Sequence, residues 1–119
     1  MGGRVEADSN RFGVATRACE AETFGVSVGG DVDLVTAAEV ERELLAAAQL
    51  GARRVLVDLT ETTFIDSSAI HALVTGGERL LESGLQFGLV CGPNVRRVLE
   101  TVGVDRMFKI HSTLEQARV

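Results

Sequence analysis

An α/β domain with a mixed β-sheet of four to five strands and about four helices is the fold class this chain predicts. Two observations carry that reading. Near the N-terminus two stretches alternate roughly with period two, and beyond Gly30 helix-period stretches take turns with short apolar runs. A β-hairpin followed by alternating helix and strand gives a mixed sheet covered by helices. At 119 residues, 45% hydrophobic and 24% charged, the composition is that of one globular domain with one sizeable core.

Residues 1–10 are polar, carry two glycines and read as a loose leader, which leaves 11–119 as the domain. Residues 12–19 and 23–28 bracket Glu20-Ala21-Glu22 and read as a hairpin, with Gly29-Gly30 ending its second strand. Thr36-Ala37-Ala38-Glu39 matches a capping box, in which hydroxyl and carboxylate satisfy each other's backbone amides. Val40, Leu44, Ala47 and Ala48 follow at helical spacing, and Gly51 suits the position after the last turn. Residues 55–59 form a short apolar run, expected to be a central buried strand. Asp66-Ser67-Ser68 precedes a second helix whose Ile70, Leu73, Val74, Gly77, Leu80 and Leu81 share one face, and Gly84 closes it. Residues 85–91 read as a strand, and Val95, Val98, Leu99 and Val102 as a third helix. Residues 107–110 give a last strand and 112–118 a terminal helical turn or two.

Charge and composition exclude several functions. Twelve basic residues stand against 17 acidic ones, a net charge of −5. Arg53-Arg54 and Arg96-Arg97 do not extend into a stripe, and five Phe without Trp or Tyr supply no stacking platform, so no direct nucleic-acid partner is expected. No apolar run is long enough for a membrane span, and the first residues lack the apolar core of a signal peptide. Glu6 stands where a myristoylation motif wants Ser or Thr, so a cytoplasmic location is expected. Cys19, Cys91, His71 and His111 lack the paired spacings of a zinc site, and both cysteines read as small buried hydrophobes in strands. No metal or cofactor is expected. Asp31 and Asp33 fall short of the oxygens calcium takes.

Three segments remain as candidates for chemistry: Gly30-Asp31-Val32-Asp33, residues 63–69, and Gly92-Pro93-Asn94-Val95-Arg96-Arg97. Asp66, Ser67 and Ser68 are capping residues by default, since a side-chain oxygen satisfies an orphan amide. The same position presents a hydroxyl at the sheet edge, within reach of another protein's active site. A phosphate there adds roughly −1.5 to −2 charges, stabilised by the helix N-terminus and opposed by Asp66. Helical-wheel spacing places Ser68 on the polar side and Ser67 on its edge, and does not choose between them.

In these segments the chain resembles the STAS-domain anti-sigma factor antagonists of bacteria. The resemblance rests on Gly30-Asp31-Val32-Asp33, on Phe64-Ile65-Asp66-Ser67-Ser68, on Pro93-Asn94-Val95-Arg96-Arg97-Val98-Leu99 and on residues 102–110. It covers most of the chain and implies a STAS-type domain. It also implies a mechanism, in which the unmodified antagonist binds an anti-sigma factor and frees the sigma factor. The anti-sigma factor is usually a serine kinase that phosphorylates the antagonist, and a separate serine phosphatase resets it. By that resemblance Ser67 is the phosphorylated residue. Asp66 orients its hydroxyl, and Asp33, Asp66, Ser67 and Ser68 meet the partner. Where the family commonly has Gly after the two hydroxyl residues, this chain has Ala69, whose methyl stands in the way if a kinase loop approaches the backbone closely.

Two other readings stay open. One is a constitutive STAS interaction module without a phosphorylation switch. The other is a hydrolase pairing Ser67 with His71 one turn on, although no Gly-x-Ser-x-Gly elbow is present and His71 falls on the polar side of its helix. The chain is expected not to be an enzyme, and His111 to lie on the surface beyond the last strand.

Overall fold

Alternating residues build the hairpin that begins the sheet. Residues 11–118 are described by the structure, a computed structural model. The leader assigned to residues 1–10 and the domain's last residue lie outside the described residues. Strands β1 (Gly13–Glu20) and β2 (Thr23–Val32) pair antiparallel, from Gly13 opposite Gly29 to Glu20 opposite Thr23. The turn is shorter than expected, only Ala21 and Glu22, with φ of 45° and 65°. Two positive φ values match the twist of flanking strands in a two-residue hairpin, but side chains other than Asn and Gly resist them. The Glu22 carbonyl accepts the amides of Arg53 (2.8 Å) and Arg54 (3.3 Å), which ties the turn to the next strand. Ala21→Asn is expected to raise stability by about 0.5–1 kcal/mol, read as a higher melting temperature.

The second strand does not end at Gly29-Gly30; it continues to Val32. The glycines serve as irregularities within it, because the pairing register shifts between Ser27 and Gly29 and again between Gly30 and Asp31. Gly30 has φ +80°, and a Cβ there would fall 2.1 Å from the Arg11 carbonyl oxygen. Only glycine fits.

Helix α1 (Leu34–Gln49) leads to β3 (Arg54–Ile65), α2 (Ser67–Glu82) to β4 (Gln86–Val90), and α3 (Pro93–Thr101) to β5 (Lys109–His111). A 3-10 turn at Val104–Arg106 precedes β5, and α4 (Leu114–Arg118) follows it. The sheet order is β1-β2-β3-β4-β5, and every pair beyond the hairpin is parallel. This is the mixed five-stranded α/β fold, with β3 central as expected and longer than its apolar run.

The core joins Val26, Val28, Val55, Val57 and Leu89 of the sheet to Leu44, Leu73, Leu80 and Leu99 of the helices. Gly77 lets α2 approach the rings of Phe87 and Phe108, which meet edge-on with centroids 5.0 Å apart. A smaller cluster of Leu56, Val90 and Ala117, with Leu114 against it, lies apart from this core. Leu56 alternates with the core residues Val55 and Val57 along β3, so α4 packs on the opposite sheet face.

Several expectations need correction. The cap of α1 is Asp33, and Thr36 is its third helical residue. Leu81, placed on the apolar face of α2, is exposed at the flank of that helix, and α3 ends at Thr101 with Val102 as its cap. His111 is partly buried within β5 instead of lying beyond it. Cys91 is buried just past β4, whereas Cys19 in β1 is only partly buried, and both are free thiols. Among the described residues no helix is long and apolar enough to cross a membrane.

Candidate partner-docking site

Parallel neighbours end side by side, so the loops after β2 and β3 lie together. Asp31 stands opposite Phe64 and Val32 opposite Ile65. The Asp66 amide donates to the Val32 carbonyl (3.2 Å), and the Thr63 hydroxyl donates to the Asp31 carboxylate (2.6 Å). Each strand then turns into a helix through an aspartate. The Asp33 carboxylate accepts the amides of Val35 (3.1 Å) and Thr36 (3.0 Å), while the Thr36 hydroxyl accepts the Asp33 amide (2.8 Å). Asp66 accepts the Ala69 amide (2.9 Å), capping α2. The Asp31–Asp33 segment at the end of β2 and the Asp66–Ser68 junction, separate in sequence, form one surface.

Ser67 is the first residue of α2 and is exposed, and Ser68 is half-buried. The wheel had put Ser68 on the polar side; in the first turn the actual backbone entry direction overrides that arithmetic. Among the described residues no hydrogen bond engages the Ser67 hydroxyl, and none joins it to His71, which is exposed. Among the described residues no hydrogen bond or ion pair orients His71 as the hydrolase reading requires. Ala69 is 1% exposed and packs into the core, so its methyl points away from this surface.

Leu34 (70% exposed), Val35 (76%) and Phe64 (55%) flank these loops; Leu34 and Val35 lie outside the candidate segments, and Phe64 lies within one but was given no role. Their positions next to Asp33 and Asp66 were the available signal. Apolar side chains gathered on an exposed surface mark contact sites for other proteins. Among the described residues no cluster of three or more His, Cys, Asp or Glu could hold a metal.

The Thr36 backbone amide, followed by its hydroxyl, holds the Asp33 carboxyl below its ordinary value of 3.8. Asp33 is exposed, and the contribution is a local one. With the folded value below the unfolded one, the charged cap stabilises α1 fully above pH 3.8 and loses that effect as pH falls through the folded value. Asp33→Asn keeps an acceptor without the charge. Its melting temperature is therefore expected to change less with acidification than that of the parent chain.

A fold of this order, with two aspartate-capped helix junctions meeting at one end of the sheet, is a known class. The family model for the STAS domain matches residues 19–117, and the chain belongs to that family. It is 31% identical over 93 residues to the anti-sigma-F factor antagonist RsfB of Mycobacterium tuberculosis, covering 77% of this chain and 75% of that protein. The crystal structure of an anti-sigma factor antagonist from Mycobacterium paratuberculosis matches with a TM-score of 0.80 at 28% identity, covering 91% of this chain and 92% of that one. The antagonist SpoIIAA in its unphosphorylated form shares the fold with a TM-score of 0.73 at 18% identity, over 88% and 92% of the two chains.

Proposed function

We propose that this chain is an anti-sigma factor antagonist, switched by phosphorylation of Ser67. Unmodified, it docks through the surface around Asp33, Asp66, Ser67 and Ser68 on an anti-sigma factor and frees the sigma factor. The anti-sigma factor, acting as a serine kinase, transfers the γ-phosphoryl group of ATP to the Ser67 oxygen. The hydroxyl proton is lost and ADP leaves. A serine phosphatase hydrolyses the ester and restores the binding form. The chain is thus a substrate and a ligand rather than an enzyme, and it acts in the cytoplasm.

The observation that carries this reading is an exposed, unengaged hydroxyl at the mouth of a 16-residue helix, bordered by exposed apolar side chains. The helix N-terminus tolerates the added dianion, so the fold survives the modification. A partner seated on Leu34 and Phe64 meets a desolvated charge instead. Affinity, not folding, is what changes.

Calorimetric titration of the chain with the anti-sigma factors of its own host tests the proposal. One of them is expected to bind, and to lose binding once ATP has been consumed. A complex indifferent to ATP would favour a constitutive module. Phe64→Ser is expected to lower affinity at least tenfold, as truncated interface aromatics do, with little change in melting temperature because the ring is 55% exposed.

A further inference from the structure

At the far end of the parallel strands from Ser67, a concavity opens around the beginnings of β3 and β4 beside β5, taking one wall from the side covered by α2 and the other from the face covered by α4. Strand alternation projects Arg54 and Leu56 of β3, Gly88 of β4, and Lys109 and His111 of β5 to this face. The five-residue α4 sets Ala117 on Leu56 and Val90 and leaves the strand beginnings beside it open. The resulting cavity has a volume of about 460 Å³, within the range of small-molecule sites. Gly88 leaves its floor low.

Two features of the lining are unusual for this chain. Acidic residues outnumber basic ones 17 to 12, yet Arg54, Lys109 and His111 line the cavity and no Asp or Glu does. The Arg54 Nη2 is buried without a hydrogen-bond partner among the described residues. A guanidinium nitrogen held in that way is costly unless an anion meets it. His111 reports the same field: burial first, then Lys109, Arg54 and Arg96, push its pKa below the ordinary value of 6.5. The other wall is apolar, with Leu81 and Met107 left 43% and 44% exposed next to Phe87.

We propose that this cavity binds a small amphiphilic anion, its carboxylate held by Arg54 and Lys109 and its apolar body lying against Leu81, Phe87 and Met107. Two cations from separate strands can each meet one oxygen of a carboxylate. The apolar wall would leave a polyphosphate chain without partners.

Decanoate, decan-1-ol and acetate, titrated into the isotopically labelled full chain and followed by amide chemical shifts, test this directly. Decanoate is expected to bind saturably, shifting residues of β4, β5 and α4, and to raise the titration point of the His111 ring. Decan-1-ol is expected to bind about tenfold more weakly, and acetate not to saturate, since a charge-assisted hydrogen bond and the apolar contact both contribute. Arg54→Gln and, separately, the exposed Lys109→Gln should each weaken decanoate several-fold and leave decan-1-ol unchanged. Equal affinity for decanoate and decan-1-ol would overturn the proposal. So would shifts centred elsewhere, or both variants retaining full decanoate affinity.

Discussion

Ser67→Asp is expected to weaken anti-sigma factor binding by about a hundredfold, close to 2.7 kcal/mol, while the melting temperature stays the same or rises slightly. The two effects separate because of where the residue sits. On the free chain a carboxylate at the first position of α2 lies in the favourable field of the helix N-terminus, worth about 0.3–1 kcal/mol. In the complex the same charge must be desolvated beside Asp66, where like charges in contact cost several kcal/mol. Ser67→Ala changes neither volume nor charge much on an exposed position, so it is expected to bind as the parent does and to resist modification. Titration calorimetry with the anti-sigma factor, paired with thermal melts, reads both quantities.

Gly30→Ala is expected to have the largest effect on the fold, on the order of 3 kcal/mol. Two costs add at this residue. Its φ of +80° disfavours any Cβ by about 1–2 kcal/mol, and that Cβ would fall 2.1 Å from the Arg11 carbonyl oxygen, which requires a backbone shift. Crowding of that kind typically costs about 1–3 kcal/mol. The damage lies directly before Asp31 and Asp33, so the register opposite Phe64 and Ile65 should loosen with it. A fall in melting temperature on the order of 10 °C and weaker partner binding are the expected readings. Gly51→Ala is the matching control: it also has a positive φ, but nothing lies within 4 Å of its Cβ.

Most elements were legible because their patterns are local. The apolar run at residues 55–59 announced the central strand, and Asp66-Ser67-Ser68 announced the start of α2. The start of α1 was misplaced because two overlapping capping patterns occur. Thr36 with Glu39 fits the template, but Asp33 accepts two amides and sits directly after β2, so it wins. The extension of β2 through Gly29-Gly30 was not legible, since it depends on parallel pairing with Thr62 and Phe64, more than thirty residues away. Ser67 and Asp33 were singled out by the family resemblance and not by local pattern, and the placement of the two helix junctions on one surface is a property of strand order. Leu34, Val35 and Phe64 read as apolar; only packing shows that they are left exposed. The cationic cavity is of the same kind, drawing Arg54, Lys109 and His111 from two strands that do not pair with each other.

The most direct measurement is to incubate the chain with its anti-sigma factor and ATP, locate the phosphate by mass spectrometry, and titrate the modified chain back against the same partner. A single phosphate on Ser67 and a complex weakened about a hundredfold are the results predicted here. Phosphate found only outside residues 66–69, or a Ser67-modified chain that still binds at full affinity, would contradict the account.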